Sequence, residues 1–292
     1  MKNEHIITMN KEYRNGISSF EKFAQIQNEI RNSNFANIRI HCENTTYISP
    51  VVSTLFGSLP HYGNFYNKNV KITYNIKNGK RYIQDVGIDK YYGNTKNVKT
   101  NSMAVPFQSI DWKTYEGKDV EKCIDAILKQ LPINLEDNDR GMLFSIIGEI
   151  FNNAKDHSGI QEKSNIRVYY CAYWNSKRDT YIVSIYDTGV GISKNVSNYL
   201  NKQVSDSEAI TWALGDGNST QNTANMEYTR GIGLNSLEKF IKANKGELFL
   251  GSGNAICKID NNQRIIKPIE HKLRGTIYVF TVKIEKTQNF NI

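Results

Sequence analysis

The chain has 292 residues, 39% of them apolar and 11% aromatic, enough for one large domain or two ordinary ones and for a core that needs no disulfide or metal staple. No apolar run reaches the ~20 residues of a membrane span, and the N-terminal MKNEHIITMNKEYRNG lacks the apolar stretch of a secretory signal, so a cytoplasmic protein with no membrane partner is expected. The net charge of +8 is uneven: residues 1–110 hold 14 Lys and Arg against 7 Asp and Glu, and the rest hold 23 against 22. That excess admits nucleic acid as a partner of the first part. The basic residues are scattered with no arginine-rich run, however, which favours a solvated, mildly basic surface. Cys42, Cys123, Cys171 and Cys257 stand far apart with no C-x-x-C spacing, and read as buried free thiols.

Phe20, Phe23, Ala24, Ile26 and Ile30 recur at helical spacing over Ser18–Arg31. Asn37–Cys42 alternates like a strand. Pro50–Leu59 reads as a helix with proline in its first turn. Val70–Ile76 is another strand, and Lys80–Gly87 a short helix ending in glycine. This rhythm predicts a small α/β layer domain over residues 1–110. Residues 88–110 are polar and rich in Asn and Tyr, and read as a loop or linker. The second unit, 111–292, opens with a helix over Gly117–Leu131 and a longer one from Asn138 to His157. Strands are expected at Asn165–Trp174, Tyr181–Tyr186, Glu247–Leu250 and Thr276–Lys283. Between them residues 193–230 are long and polar, as functional or mobile connections are. Within that region SDSEAITWALGDG reads as a short helix opened by a Ser205–Glu208 capping box.

Chemistry concentrates in three places. On the helix around GEIFNNAKDHSG, Glu149, Asn153 and either Asp156 or His157 recur every three to four residues and share one face. Such a face can orient a water and bind a hard cation; it is also the pattern of a charged surface stripe ending near the helix dipole. The second place is YDTGVGI, 186–192. Asp187 stands where an apolar strand stops, and Gly189 and Gly191 admit close backbone approach. A rigid carboxylate beside bare backbone grips a flat polar ligand, and the same residues make an ordinary turn. The third is YTRGIGL, 228–234, whose Gly231 and Gly233 precede a helix and so form an anion site. No G-K-[ST] follows, and no strand leads into it, which sets aside the Walker and Rossmann motifs.

The order of these boxes, closed by Gly275-Thr276, resembles the GHKL ATPase superfamily over roughly 115–285. That superfamily includes DNA gyrase, mismatch-repair ATPases, a heat-shock chaperone, histidine kinases and anti-sigma-factor serine kinases. The resemblance implies a Bergerat fold, a two-layer α/β sandwich with a mixed sheet covered by helices, and ATP with Mg2+ as cofactors. By this likeness Asp187 accepts a hydrogen bond from the adenine amino group, with Thr276 in support. Gly189, Gly191 and Ile192 pass close to the nucleotide. Asn153 ligates Mg2+, and Glu149 is the general base. Gly231, Gly233 and Leu234 offer amides to the phosphates, residues 193–230 form a mobile lid, and Asp156, His157, Arg230 and Ile232 complete the nucleotide-contacting set. The form Asn153-Ala154-x-x-His157 is closer to the kinase branches.

In the first unit, NIRIHCENTTYISPVVSTLFGSL resembles the strand–turn–helix of a STAS domain, the fold of anti-anti-sigma factors. That family carries Asp-Ser in the turn, where a GHKL kinase phosphorylates the serine. Ser49-Pro50 stands here with no aspartate, which leaves Ser49 or Ser53 as the acceptors a kinase would have to reach. None of the five histidines sits in a His-Glu-x-x-x-Pro context, which argues against a complete histidine kinase. The few residues after the final strand argue against a gyrase-type transducer domain. The expectation is therefore an ATP/Mg-driven regulatory switch that closes its lid and changes protein partners, STAS-like or regulatory, with a homodimer as one assembly. The alternatives are a serine/threonine kinase acting on a STAS-like partner, and a nucleic-acid-associated ATPase of a bacterial defence or stress system.

Overall fold

The segment TYIVSIYD, Thr180–Asp187, shows no polar alternation, and a strand of that kind needs a cover on both faces. The computed structural model, which describes residues 4–42, 44–73, 86–92, 104–111, 117–131, 137–156, 166–218 and 233–284, supplies both. The strand is β8 of a five-stranded sheet in the order β6-β7-β8-β10-β9. Its other members are β6 (Ala104–Asp111), β7 (Arg167–Asn175), β9 (Glu247–Ile259) and β10 (Arg264–Lys283). Among the described residues every pairing in this sheet is antiparallel, which corrects the expected mixed sheet. Tight hairpins join β7 to β8 and β9 to β10, and a hairpin fixes its strands antiparallel.

Alternation along β8 divides the core. Tyr181, Val183 and Ile185 point to one side, where helices α4 (Gly117–Lys129), α5 (Asp137–Asp156) and α8 (Gly233–Ala243) cover the sheet. Ile182 and Tyr186 point to the other. That second face is closed by the first part of the chain. Helix α1 (Ile17–Asn32) brings Phe20, Phe23, Ala24 and Ile30 against it. Helix α2 (Ser53–Asn64), entered through a 3-10 turn at Pro50–Val52, is buried along most of its length. Beyond these helices lies a parallel three-stranded sheet, β1-β3-β5, of Glu4–Thr8, Asn37–His41 and Asn69–Thr73. A small parallel pair, β2 (Glu12–Tyr13) with β4 (Tyr47–Ile48), flanks it. The order through the molecule is sheet, helices, sheet, helices. The α/β sandwich expected for the second unit is present, but its sheet is buried on both sides.

The contact between the two parts is close and partly polar. A Cβ at Gly57 of α2 would stand 2.5 Å from the Phe107 ring on β6. Thr54 and Ser184 hydroxyls lie 2.6 Å apart in the buried interface. His61 Nδ1 is 2.9 Å from the Tyr169 hydroxyl, and burial with the nearby Arg167 lowers its pKa to about 4, so it is neutral. All four cysteines are free and buried.

Three sequence expectations change. Residues 88–110, read as a loop, contain α3 (Ile88–Tyr91) and most of β6. Pro106 hides β6 in the sequence, but β6 is an edge strand with a register shift between Val105 and Gln108, where proline's missing N–H is tolerated. Because β6 pairs with β7, the sheet begins before residue 111. β9 and β10 run well beyond their expected spans, as one long hairpin starting at Arg264↔Ile259. The expected helix over 80–87 lies almost wholly outside the described residues.

A chain beginning at Ala104 keeps the five-stranded sheet but strips Tyr169, Ile182, Tyr186, Phe249, Ile277 and Val279 of their cover. It is expected to bind the dye ANS and to aggregate where the full chain stays dispersed. A soluble fragment with a cooperative melt would show instead that the first layer is separable.

Candidate functional site

At the end of β8 the chain leaves the sheet, and Asp187 is the last residue inside it. Its Cα partner across the ladder is Thr276 on β10. Asp187 is only 5% exposed. The Gly189 backbone N–H donates to its Oδ1 at 2.8 Å, and Thr276 adds a backbone and a hydroxyl hydrogen bond. Burial raises its pKa to about 7, against the pull of those bonds and of Arg274. An ionised carboxylate has about four acceptor sites, so beside these three bonds it can accept a further N–H donor.

Bare backbone surrounds it. Gly191 has φ +85 and precedes α6 (Ile192–Leu200); a Cβ there would stand 2.8 Å from the Ser252 hydroxyl. Ser252 Oγ accepts from the Ile192 N–H at 2.9 Å and donates to the Gly275 carbonyl at 3.2 Å. Gly275 has φ +76, and a Cβ there would fall 1.9 Å from the Asp187 carbonyl oxygen. Both glycines are therefore required by close approach as well as by backbone angle.

Glu149 and Asn153 lie one turn apart on α5, both half-buried, beside the core residues Ile146, Ile150 and Ala154. Tyr278 of β10 is buried, and that burial, with the charges of Asp187 and Glu149 added, pushes its pKa up. The helix carboxylate and the strand carboxylate thus face the same layer. Gly233 and Leu234 open α8, and Leu234 packs against the same core as Ile192. The structure so gathers Asp187, Gly189, Gly191, Ile192 and Thr276 at one sheet end, with Glu149, Asn153, Gly233 and Leu234 on the covering helices. Asp156 ends α5, with its side chain outside the described residues; His157, Arg230, Gly231 and Ile232 lie outside them entirely.

The region expected to be a mobile lid is largely built into the fold. After α6 comes α7 (Asp206–Ala213), with the expected capping box: Glu208 N–H to Ser205 Oγ at 3.2 Å and Ser205 N–H to Glu208 at 2.7 Å. Asp206 accepts from the Asn254 N–H at 2.8 Å, and a Cβ at Gly253 would stand 2.3 Å from its carboxylate. Ala209, Ile210 and Leu214 are buried. Residues 192–200 and 206–213 are therefore helices joined by an exposed turn, anchored through Val196, Ala209, Ile210 and Leu214, and 219–232 lies outside the described residues. Ser252, Gly253 and Asp206 were not singled out from sequence. The signal was GSG inside an apolar strand, since glycine there marks close backbone approach.

A buried acceptor at a strand end, glycine-lined backbone beside it and a carboxylate–amide helix face opposite define a nucleotide-binding α/β sandwich. Residues 138–286 match the family described as histidine kinase-, DNA gyrase B-, and HSP90-like ATPase; the match spans just over half the chain, and the chain belongs to that family. It is a GHKL-type ATP-binding protein, of a family whose domains usually use Mg2+. No curated protein matches the chain. Among the described residues, no helix is long and apolar enough to cross a membrane.

The pKa of Asp187 has a stability consequence. The folded state holds the proton more tightly than the unfolded chain, so this contribution is full below about pH 4 and is lost as pH rises to about 7. Asp187→Asn should therefore melt progressively higher than the unsubstituted chain as pH rises from 4 to 7.5, with the gap smallest near pH 4. Parallel melting curves across that range would overturn the buried-acid assignment.

Proposed function

We propose that the chain is an ATP-driven regulatory switch whose nucleotide site lies between Asp187 and the α5 and α8 helices. The observation that carries it is Asp187 itself, a buried carboxylate with a raised pKa beside glycine backbone at 189, 191 and 275. An adenine amino group is a flat donor that would relieve the desolvation of this carboxylate, while guanine would present an oxygen acceptor there. Thr276 holds the carboxylate in place. Asn153 would offer its amide oxygen to Mg2+, which supplies charge neutralisation on the phosphates. Glu149, one helical turn earlier, would orient a water and take its proton. Arg230, Gly231, Ile232, Gly233 and Leu234 would meet the phosphates, and the segment between α7 and α8 would close over them.

The first layer is read as the partner-facing, STAS-like side of the switch. Its parallel sheet turns Arg39 and Lys71 outward, while its helices close the back of the nucleotide-site sheet. Ser49 and Ser53 are 0% and 2% exposed. Ser49 is engaged with Asn15 and with the Val51 N–H, and Ser53 with the Ser49 carbonyl. This burial disfavours phosphorylation at that turn and leaves a kinase reading only with a separate substrate.

Calorimetric titration with a non-hydrolysable ATP analogue and Mg2+ should give micromolar binding, about −8 kcal/mol, with no comparable signal from GTP. Asp187→Asn should abolish it; unchanged binding would remove the site assignment. Glu149→Ala should keep the binding and lose roughly 10²–10⁴ in ATP turnover. Hydrolysis at the original rate would remove Glu149 as the base.

A further inference from the structure

The Asp187 backbone is held from behind by the first layer. Gln27 of α1 is completely buried in the interface between the two parts. Its Nε2 donates to the Tyr186 hydroxyl at 3.2 Å, and its Oε1 accepts from the Arg274 N–H at 3.2 Å. The Tyr186 hydroxyl donates to the Arg274 carbonyl at 2.7 Å and closes the ring. Tyr186 immediately precedes Asp187, and Arg274 stands two residues before its ladder partner Thr276. Arg274 also reaches forward, its Nε donating to the Thr188 carbonyl at 3.1 Å. Its guanidinium stacks 4.0 Å over the ring of Phe65, just past the end of α2. The residues on both sides of Asp187 are thus tied to Arg274, and Arg274 is tied to α1 and α2.

We propose that Gln27 is a positioning residue of the nucleotide site: through the Tyr186–Arg274 ring it sets where Asp187 stands, and so makes occupancy of that site felt by α1 and α2. This rests on the reading of Asp187 as the adenine acceptor. The physical case is that the Gln27 and Tyr186 side chains are completely buried, so a polar group in the ring that loses its partner incurs its desolvation cost. A shift of the Asp187 turn on ligand binding therefore moves Arg274, and with it the helices that carry the outer sheet. Thr54 and Ser184 provide a built-in comparison. They form another buried polar link between the same two parts, three residues upstream of Asp187 and outside the ring.

The test compares Gln27→Leu with Thr54→Val in the full chain, by hydrogen–deuterium exchange over peptides covering 187–192 and 274–278. Without nucleotide, Gln27→Leu should speed exchange there about tenfold, the effect of losing about 1.4 kcal/mol of local protection. Thr54→Val should leave those peptides within about twofold of the unsubstituted chain. Phe65→Ala, a change at a half-buried site, should loosen the same peptides and serves if Gln27→Leu fails to fold. With the ATP analogue and Mg2+, the unsubstituted chain should gain protection in α1 as well as at the site. Gln27→Leu should bind about tenfold more weakly, with Thr54→Val unchanged. Equal loosening in both variants, or none at Gln27→Leu or Phe65→Ala, would overturn the proposal, as would nucleotide protection that stops short of α1. If the unsubstituted chain binds no adenine nucleotide, the adenine reading fails, while the exchange comparison still decides whether Gln27 positions the turn.

Discussion

Everything in this molecule depends on a central strand that is apolar on both faces. β8 places Tyr181, Val183 and Ile185 on one side and Ile182 and Tyr186 on the other. A sheet built around it cannot leave either side to water, because an uncovered face would expose a contiguous apolar surface. One cover comes from α4, α5 and α8. The other comes from α1 and α2, far earlier in the chain. The first part is therefore structural to the nucleotide-site sheet, whatever else its outer sheet does. Its contribution is also difficult to reduce: α2 approaches β6 so closely that Gly57 has no room for a methyl group.

The strand's end turns that constraint into chemistry. Asp187 continues the odd-numbered face, so the alternation that buries Ile185 also buries the carboxylate. Its hydrogen bonds favour the charged form, and burial opposes it more strongly. The balance leaves an acid that keeps its proton to about pH 7, beside glycine backbone that puts no side chain in the way. Polar groups placed like this cost stability in the free protein and are characteristic of binding sites.

How much of this the sequence carried depended on whether the signal was local. The α1 periodicity and the Ser205–Glu208 capping box are set by residues within a few positions of each other, and both formed as expected. The order of the Glu149–Asn153, Asp187–Gly191 and Gly231–Leu234 boxes was also readable, because each box is contiguous. β6 was obscured by Pro106, whose tolerance depends on being at a sheet edge, a property no local window contains. The first half of β10 was obscured by Lys267 and Pro268, which pair only because β9 lies alongside, and by Glu270 and His271 in the register break that follows. Ser252 was not singled out, because its hydroxyl joins Ile192 to Gly275, residues distant in sequence.

Gln27 and Thr54 are the least legible residues, and for a physical reason. Each is a polar residue within an otherwise apolar helix stripe, and in sequence such a position is indistinguishable from a partly solvated one. An apolar residue at either place would pack against a sheet without defining its register. A buried amide with partners on two strands accepts only one relative placement of helix and sheet, because any slip leaves donors and acceptors unpaired. The Gln27 ring engages the strand residues flanking Asp187 and Thr276, whereas the Thr54–Ser184 bond acts in mid-strand. The two links therefore fix the same interface at different distances from the site, and only the first constrains the turn on which the carboxylate is mounted.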